Sequence, residues 1–190
     1  MTIDAAFTSF PTITTKRLHL RQLRPTDAEA LFALKSDPRV TEPYGREPQQ
    51  SLDDTYALMQ QLQGLYEGRS AFFWVITLRG EERVIGSCTL FQFDLDSLCA
   101  ETGYELYPDY WHRGIVAETM SSLLAYGFTE LGLHRIEANV GANNTPSQNV
   151  VRKLGFTFEG NLRQRYFFRG TFEDQYCFGL LKDEWLARVL

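Results

Sequence analysis

Residues 104–131, YELYPDYWHRGIVAETMSSLLAYGFTEL, constrain the fold more than any other stretch of the chain. An extended run stops at Pro108. Beyond it Ile115, Val116, Met120, Leu123, Leu124, Phe128 and Leu131 recur with the spacings of an amphipathic helix. The chain reaches that helix through His112, Arg113 and Gly114, with no Ser, Thr, Asp or Asn to cap it. A helix N-terminus carries about half a positive charge and several N–H groups without internal partners. An uncapped, basic, glycine-bearing turn therefore suits an anion: Gly114 has no Cβ to block an approach, and backbone amides can wrap round a phosphate. An ordinary loop before a surface helix is the alternative. The two familiar phosphate motifs, G-x-x-x-x-G-K-[ST] and a G-x-G-x-x-G after a strand, are absent, so any phosphate here is held by amides alone.

The segments on either side indicate how this helix is housed. TTKRLHLRQLRPTDAEALFALKSDP reads as a strand with Leu18, Leu20 and Leu23 inward, then a helix opened by Thr26 or Asp27 and ended by Pro38. A second helix spans Ser51 to Tyr66, with Ser51 as its cap and Asp54 at the third helical position. AFFWVITL and RVIGSCTLFQF read as strands joined in a hairpin through RGEE, and AETGYELYP as a further strand. After the central helix come a strand RIEANV, a helix from Thr145 to Leu154, and two closing strands that meet at Arg169-Gly170. This order predicts an α/β fold, a mixed sheet with helices on both faces. With no internal repeat and no linker, residues 14–190 are expected to form one domain, preceded by a flexible arm at 1–13. That arm lacks a basic leader region and is broken by Asp4 and Pro11, so neither a signal peptide nor a membrane anchor is expected.

Charge and cysteine usage narrow the function classes. A net charge of −5 with no run of Lys or Arg argues against nucleic-acid binding, which needs a concentrated basic face. Cys88, Cys99 and Cys177 are scattered and odd in number, and the three histidines lack metal-ligand spacing. Reduced thiols in a cytoplasmic protein, with no metal, are expected.

A second informative stretch is RIEANVGANNTPSQNVVRKLGFTFEG. Asn144 and Ser147 share a helical face if that segment is helical, so both could meet one ligand while Val150, Val151 and Leu154 pack below. Asn144 as a plain helix cap and Ser147 as a surface residue remain the alternatives.

Together, YWHRGIVAETM and NNTPSQNVVRKLGFTFEG resemble the cofactor-binding core of the GCN5-related N-acetyltransferases, the GNAT family, in its RimJ/RimL type. TTKRLHLRQLRPTDAEAL is similar to the opening of that branch and RYFFRGTFEDQYCFGLL to its final hairpin, so the likeness runs from Thr14 over nearly the whole chain. The resemblance implies a mostly antiparallel twisted sheet with a splay between two central parallel strands. It implies acetyl-CoA as cofactor, its pyrophosphate held by Trp111, His112, Arg113, Gly114, Ile115, Val116 and Ala117, with Asn144 and Ser147 orienting it. Val116 stands where the family's Q/R-x-x-G-x-G/A turn has a small residue, a departure that shifts the pyrophosphate outward or passes the small role to Ala117.

The resemblance also implies direct attack of an amine on the thioester. The acceptor would be the N-terminal α-amine of a protein, of the ribosomal-protein type, or a small amine, and the enzyme a monomer or homodimer. Ser147 matches the serine acid of the RimL type, with Tyr166 as a second hydroxyl. Glu137 matches the RimI-type base, with Glu101 and Glu105, on one face of the preceding strand, as the other candidates. The rival is a non-catalytic acyl-CoA-binding sensor on the same fold.

Overall fold

A computed structural model describes residues 3–189. Eight strands form one sheet in the order β1-β2-β3-β4-β5-β6-β8-β7. They are β1 (Ile13–Thr14), β2 (Leu18–Gln22), β3 (Ala71–Leu78), β4 (Val84–Asp94), β5 (Cys99–Leu106), β6 (Arg135–Gly141), β7 (Thr157–Phe168) and β8 (Thr171–Leu181). The helices are α1 (Ile3–Ala6), α2 (Ala28–Lys35), α3 (Pro38–Thr41), α4 (Leu52–Glu67), α5 (Ile115–Ala125), α6 (Thr145–Leu154) and α7 (Lys182–Val189).

Strand alternation sorts the core into two layers. Phe72, Trp74 and Ile76 of β3 join Leu18 and Leu20 of β2 on one face, beneath Ile115, Met120, Leu123 and Leu124 of α5. Phe73 and Val75 point the other way, against Leu31 and Leu34 of α2 and Val40 of α3. Helices thus cover both faces, as the element order predicts. α4 starts where the sequence places it: Ser51 Oγ accepts from Asp54 N at 3.4 Å, and the Asp54 carboxylate accepts from Ser51 N at 3.0 Å.

All neighbouring strand pairs are antiparallel except β5 and β6. Those two pair only from Cys99↔Arg135 to Glu101↔Glu137, although β5 runs on to Leu106 and β6 to Gly141. Beyond Glu101 the strands diverge, which is the expected splay. It opens a passage through the middle of the sheet.

Three details differ from the sequence reading. Of the segment expected as a flexible arm, residues 1 and 2 lie outside the described residues and the rest is docked: Ile3 and Ala6 are buried, Phe7 stacks on Phe72 at 4.1 Å, and Trp74 Nε1 donates to Pro11 O at 2.7 Å. Its apolar residues are dispersed along the segment, so each finds the edge of the core without forming a long apolar run. The first long helix begins at Ala28 with Asp27 in the cap position, one of the two expected openings, but the Asp27 side chain does not cap it: its carboxylate accepts from buried Arg21 at 2.7 and 2.8 Å and from Arg24 N at 2.7 Å. α5 ends at Ala125 and passes into a π-helical turn, Tyr126–Glu130; a Cβ on Gly127 would lie 2.8 Å from Ile136 Cδ1, so glycine permits close approach to β6 there.

Candidate active site

The turn before α5 is shaped by backbone geometry. Trp111 Nε1 donates to Leu106 O at 2.7 Å, pinning the chain as it leaves β5. His112 (φ +59°) and Gly114 (φ +71°) then take left-handed conformations that point the turn back into the helix. No side chain caps α5, and the first amide bonded within it is that of Glu118, to Gly114 O. The one acid in the first turn is engaged elsewhere, since Glu118 accepts from Thr15 Oγ1 at 2.6 Å and from Arg17 N and Nε at 2.9 and 2.6 Å. Burial acts to raise its carboxyl, but these donors hold it below the usual carboxylate range. Arg17 Nη1 also donates to Arg113 O at 2.9 Å, so that carbonyl is drawn away. Among the described residues no side chain caps the amides of residues 115–117, an arrangement that suits an anion.

Those amides border a groove of about 970 Å³, walled by the turn, α5, α6 and the end of β5. A second cavity, of about 430 Å³, lies towards α4 and β4. The two share Tyr44, Tyr104, Glu105, Asn144 and Ser147, so they meet at the splay. Asn144 caps α6 by accepting from Ser147 N at 3.1 Å, and its Nδ2 donates to Pro43 O at 3.3 Å. At the junction Ser147 Oγ and Tyr104 Oη are 2.7 Å apart. Burial pushes the Tyr104 phenol up to about 12, which keeps it protonated near neutral pH. A groove suited to a long anionic ligand therefore joins a second cavity at a pair of hydroxyls that can donate protons.

A sequence model of the acetyltransferase (GNAT) domain matches residues 17–157. The chain belongs to the GNAT acetyltransferase family. It is 36% identical to an uncharacterized N-acetyltransferase, YoaA, of Bacillus subtilis, over 91% of this chain and 98% of that one. Among solved structures, spermidine N-acetyltransferase from Vibrio cholerae, in complex with CoA and spermine, superposes with a TM-score of 0.80 at 23% identity, covering 90% of this chain and 99% of that one. Mycobacterium smegmatis RimJ, in complex with CoA-disulfide, gives a TM-score of 0.80 at 23% identity, covering 94% and 95%. These two likenesses are of fold. The protein is an N-acetyltransferase, and acetyl-CoA is its acyl donor. Among the described residues no helix is long and apolar enough to cross a membrane.

In this acetyltransferase the residues singled out from sequence separate into two groups. Trp111, His112, Gly114, Ile115, Val116, Ala117, Asn144 and Ser147 line the larger groove together, and Val116 is half-buried there. Arg113 lines neither cavity; its guanidinium lies over the Tyr110 ring at 5.5 Å. The carboxylates are dispersed. Glu101 lines the second cavity, and burial raises its carboxyl above the usual range; a hydrogen bond from Asn139 opposes that rise and the nearby Glu137 adds to it. Glu105 lines both cavities and accepts from Lys35 Nζ at 2.7 Å, while its other oxygen is buried without a hydrogen-bond partner. Glu137 lines neither cavity and is ion-paired with Arg135 at 2.8 Å. Tyr166 also lines neither: its ring packs against Gly45 and its hydroxyl lies beside Gly141, clasping the 42–47 loop.

Tyr104 was not singled out. Alternation places it with Leu106 on the core side of β5, opposite Glu101 and Glu105. At the splay that side opens into a cavity, and the divergence of two strands distant in sequence leaves no mark on either one.

Proposed function

We propose that the enzyme transfers the acetyl group of acetyl-CoA to a primary amine by direct attack in a ternary complex. The acceptor is the N-terminal α-amine of a protein or a small amine. The observation that carries this reading is the Ser147–Tyr104 hydroxyl pair, 2.7 Å apart where the two cavities meet. The fold likeness to RimJ accords with a protein N-terminus as acceptor.

The residues present fit the donor. Uncapped amides at 115–117 suit its diphosphate, and Asn144 holds the start of α6 so that Ser147 faces the junction. When bound, acetyl-CoA supplies an electrophilic thioester and a thiolate leaving group. Ser147 Oγ–H gives its proton to the departing sulfur, and Tyr104 Oη–H stands behind it to restore that proton. Glu101 accepts the proton that the amine releases, because its raised pKa brings it closer to working pH and it lines the acceptor side. Glu137, tied to Arg135 outside both cavities, is the weaker base. An α-amine, with a pKa of about 7.7–8.0, needs far less help than a lysine near 10.4. The free Cys88, Cys99 and Cys177 are consistent with a cytoplasmic enzyme.

Thiol release from acetyl-CoA against a panel of peptides and small amines, with calorimetry of CoA binding, tests this reading. Turnover is expected with at least one amine. Tight CoA binding without turnover on any acceptor would instead make the protein an acyl-CoA sensor.

A further inference from the structure

Resting on the acetyltransferase reading, we infer that the smaller cavity selects a primary amine with one positive charge on an apolar body, and rejects polyamines. Its charged lining is balanced: Glu101 and Glu105 face Lys35 and Arg46. Lys35 already neutralises Glu105 at 2.7 Å, which leaves Glu101 as the carboxylate available to an incoming ammonium. Tyr44, whose phenol is pushed up by burial and then by the neighbouring Glu105 carboxylate, also stands against Glu105, so that carboxylate has no charge to offer a second ammonium. A triamine entering here would bring two further ammonium groups beside Lys35 and Arg46. Those charges would be desolvated with nothing to pair them.

The opposite wall is apolar. Leu58, Leu62 and Leu65 project from one face of α4, at spacings of four and three, and Phe91 stands across from them on β4. Leu65 is 37% exposed, and Phe91 is half-buried yet belongs to neither core layer. Gly103 keeps the floor open, since a Cβ there would stand 3.2 Å from Thr89 Oγ1 and 4.0 Å from Phe91 Cε1. Leu58 and Leu62 also pack on the core, so Leu65 and Phe91 are the apolar side chains left to border the cavity, and they favour a ligand with an apolar body. An amine whose first few atoms are aliphatic or aromatic matches both walls at once.

The test compares kcat/KM for phenethylamine, a leucine-initiated tripeptide amide, ethylamine and spermidine on the full chain with saturating acetyl-CoA. Phenethylamine or the peptide should exceed spermidine by about tenfold or more, the range that apolar contacts of this size supply. Phe91→Ala and, as a surface change that spares the fold, Leu65→Gln should each cut the phenethylamine value by about tenfold through KM, with ethylamine within about twofold. Arg46→Glu should raise the spermidine value by about fivefold. Spermidine used as well as phenethylamine, or equal losses for ethylamine and phenethylamine in both wall variants, would overturn the inference while leaving the enzyme a transferase. Thiol release from none of the four amines, with CoA still bound, would remove the transferase reading and this inference with it.

Discussion

The two cavities are built by different means. The larger groove takes one wall from a continuous stretch, residues 111–117 without Arg113, which carries the uncapped start of α5, and its second wall from α6. The smaller cavity is lined by residues of α2, α4, α6 and strands β3, β4, β5, β6 and β8, and by the loop carrying Tyr44 and Arg46. Backbone amides can serve one ligand whatever side chains surround them, whereas side chains from distant elements can be varied one at a time. The first region holds what every acetyl-CoA enzyme of this fold must hold. The second is free to differ.

Substitutions at the boundary should separate the two regions most sharply. Ser147→Ala should lower kcat by about a hundredfold or more, the scale of a lost general acid, while calorimetry finds the CoA Kd within about twofold. A large loss of CoA affinity would instead make Ser147 part of the groove alone. On the acceptor side, Glu101→Gln should cost about a hundredfold in kcat/KM, with Glu137→Gln within about threefold. The reverse order would return the base to Glu137 and mean that its ion pair with Arg135 opens during catalysis. In the groove, Gly114→Ala places a Cβ on a residue at φ +71° and should weaken CoA binding by about tenfold, the cost of about 1–2 kcal/mol for that backbone conformation. Tyr104→Phe keeps the packing and removes only the hydroxyl behind Ser147. It should reduce kcat by roughly threefold to tenfold with the acceptor KM unchanged.

The same division explains what could be read from the chain. Gly114, the missing cap of α5 and the Asn144 cap of α6 are local features, each written within a few residues, and they led to the groove. The splay itself was an implication of family likeness, because it depends on where β5 and β6, separated by α5, cease to pair. Glu137 illustrates the limit: its strand position was correctly placed, but its ion pair with Arg135 depends on side-chain rotamers, and the better-sited Glu101 pairs with it in register one strand away. Tyr166, expected near the substrate, lines neither cavity itself, but its hydroxyl stands beside Gly141, which lines the second one, and its ring packs on Gly45. The docking of the first residues escaped for a related reason. Ile3, Phe7 and Phe10 are unremarkable until Phe72 and Trp74 offer them an edge.

The smallest expected effect contrasts two carboxylates by the pH dependence of stability. Glu118, beside the cofactor turn, has a folded pKa held below its unfolded value of about 4.3, so its contribution is present above that value and lost as pH falls through the folded pKa. Glu101, in the acceptor cavity, has a folded pKa above that value, so the fold favours its neutral form and loses stability as pH rises from about 4.3 through the folded pKa. Glu118→Gln should therefore lower Tm at pH 7 and flatten its fall towards pH 4, while Glu101→Gln should raise Tm at pH 7. Thermal melts of the two variants and the parent across pH 4–8 measure both signs. A Glu101→Gln protein that is more stable and nearly inactive would locate, in one side chain, the stability given up to keep a base in the cavity. A variant that is less stable at pH 7 would mean that the Glu101 carboxylate is held by Asn139 and Arg165 more firmly than burial opposes it, and the base would have to be sought elsewhere.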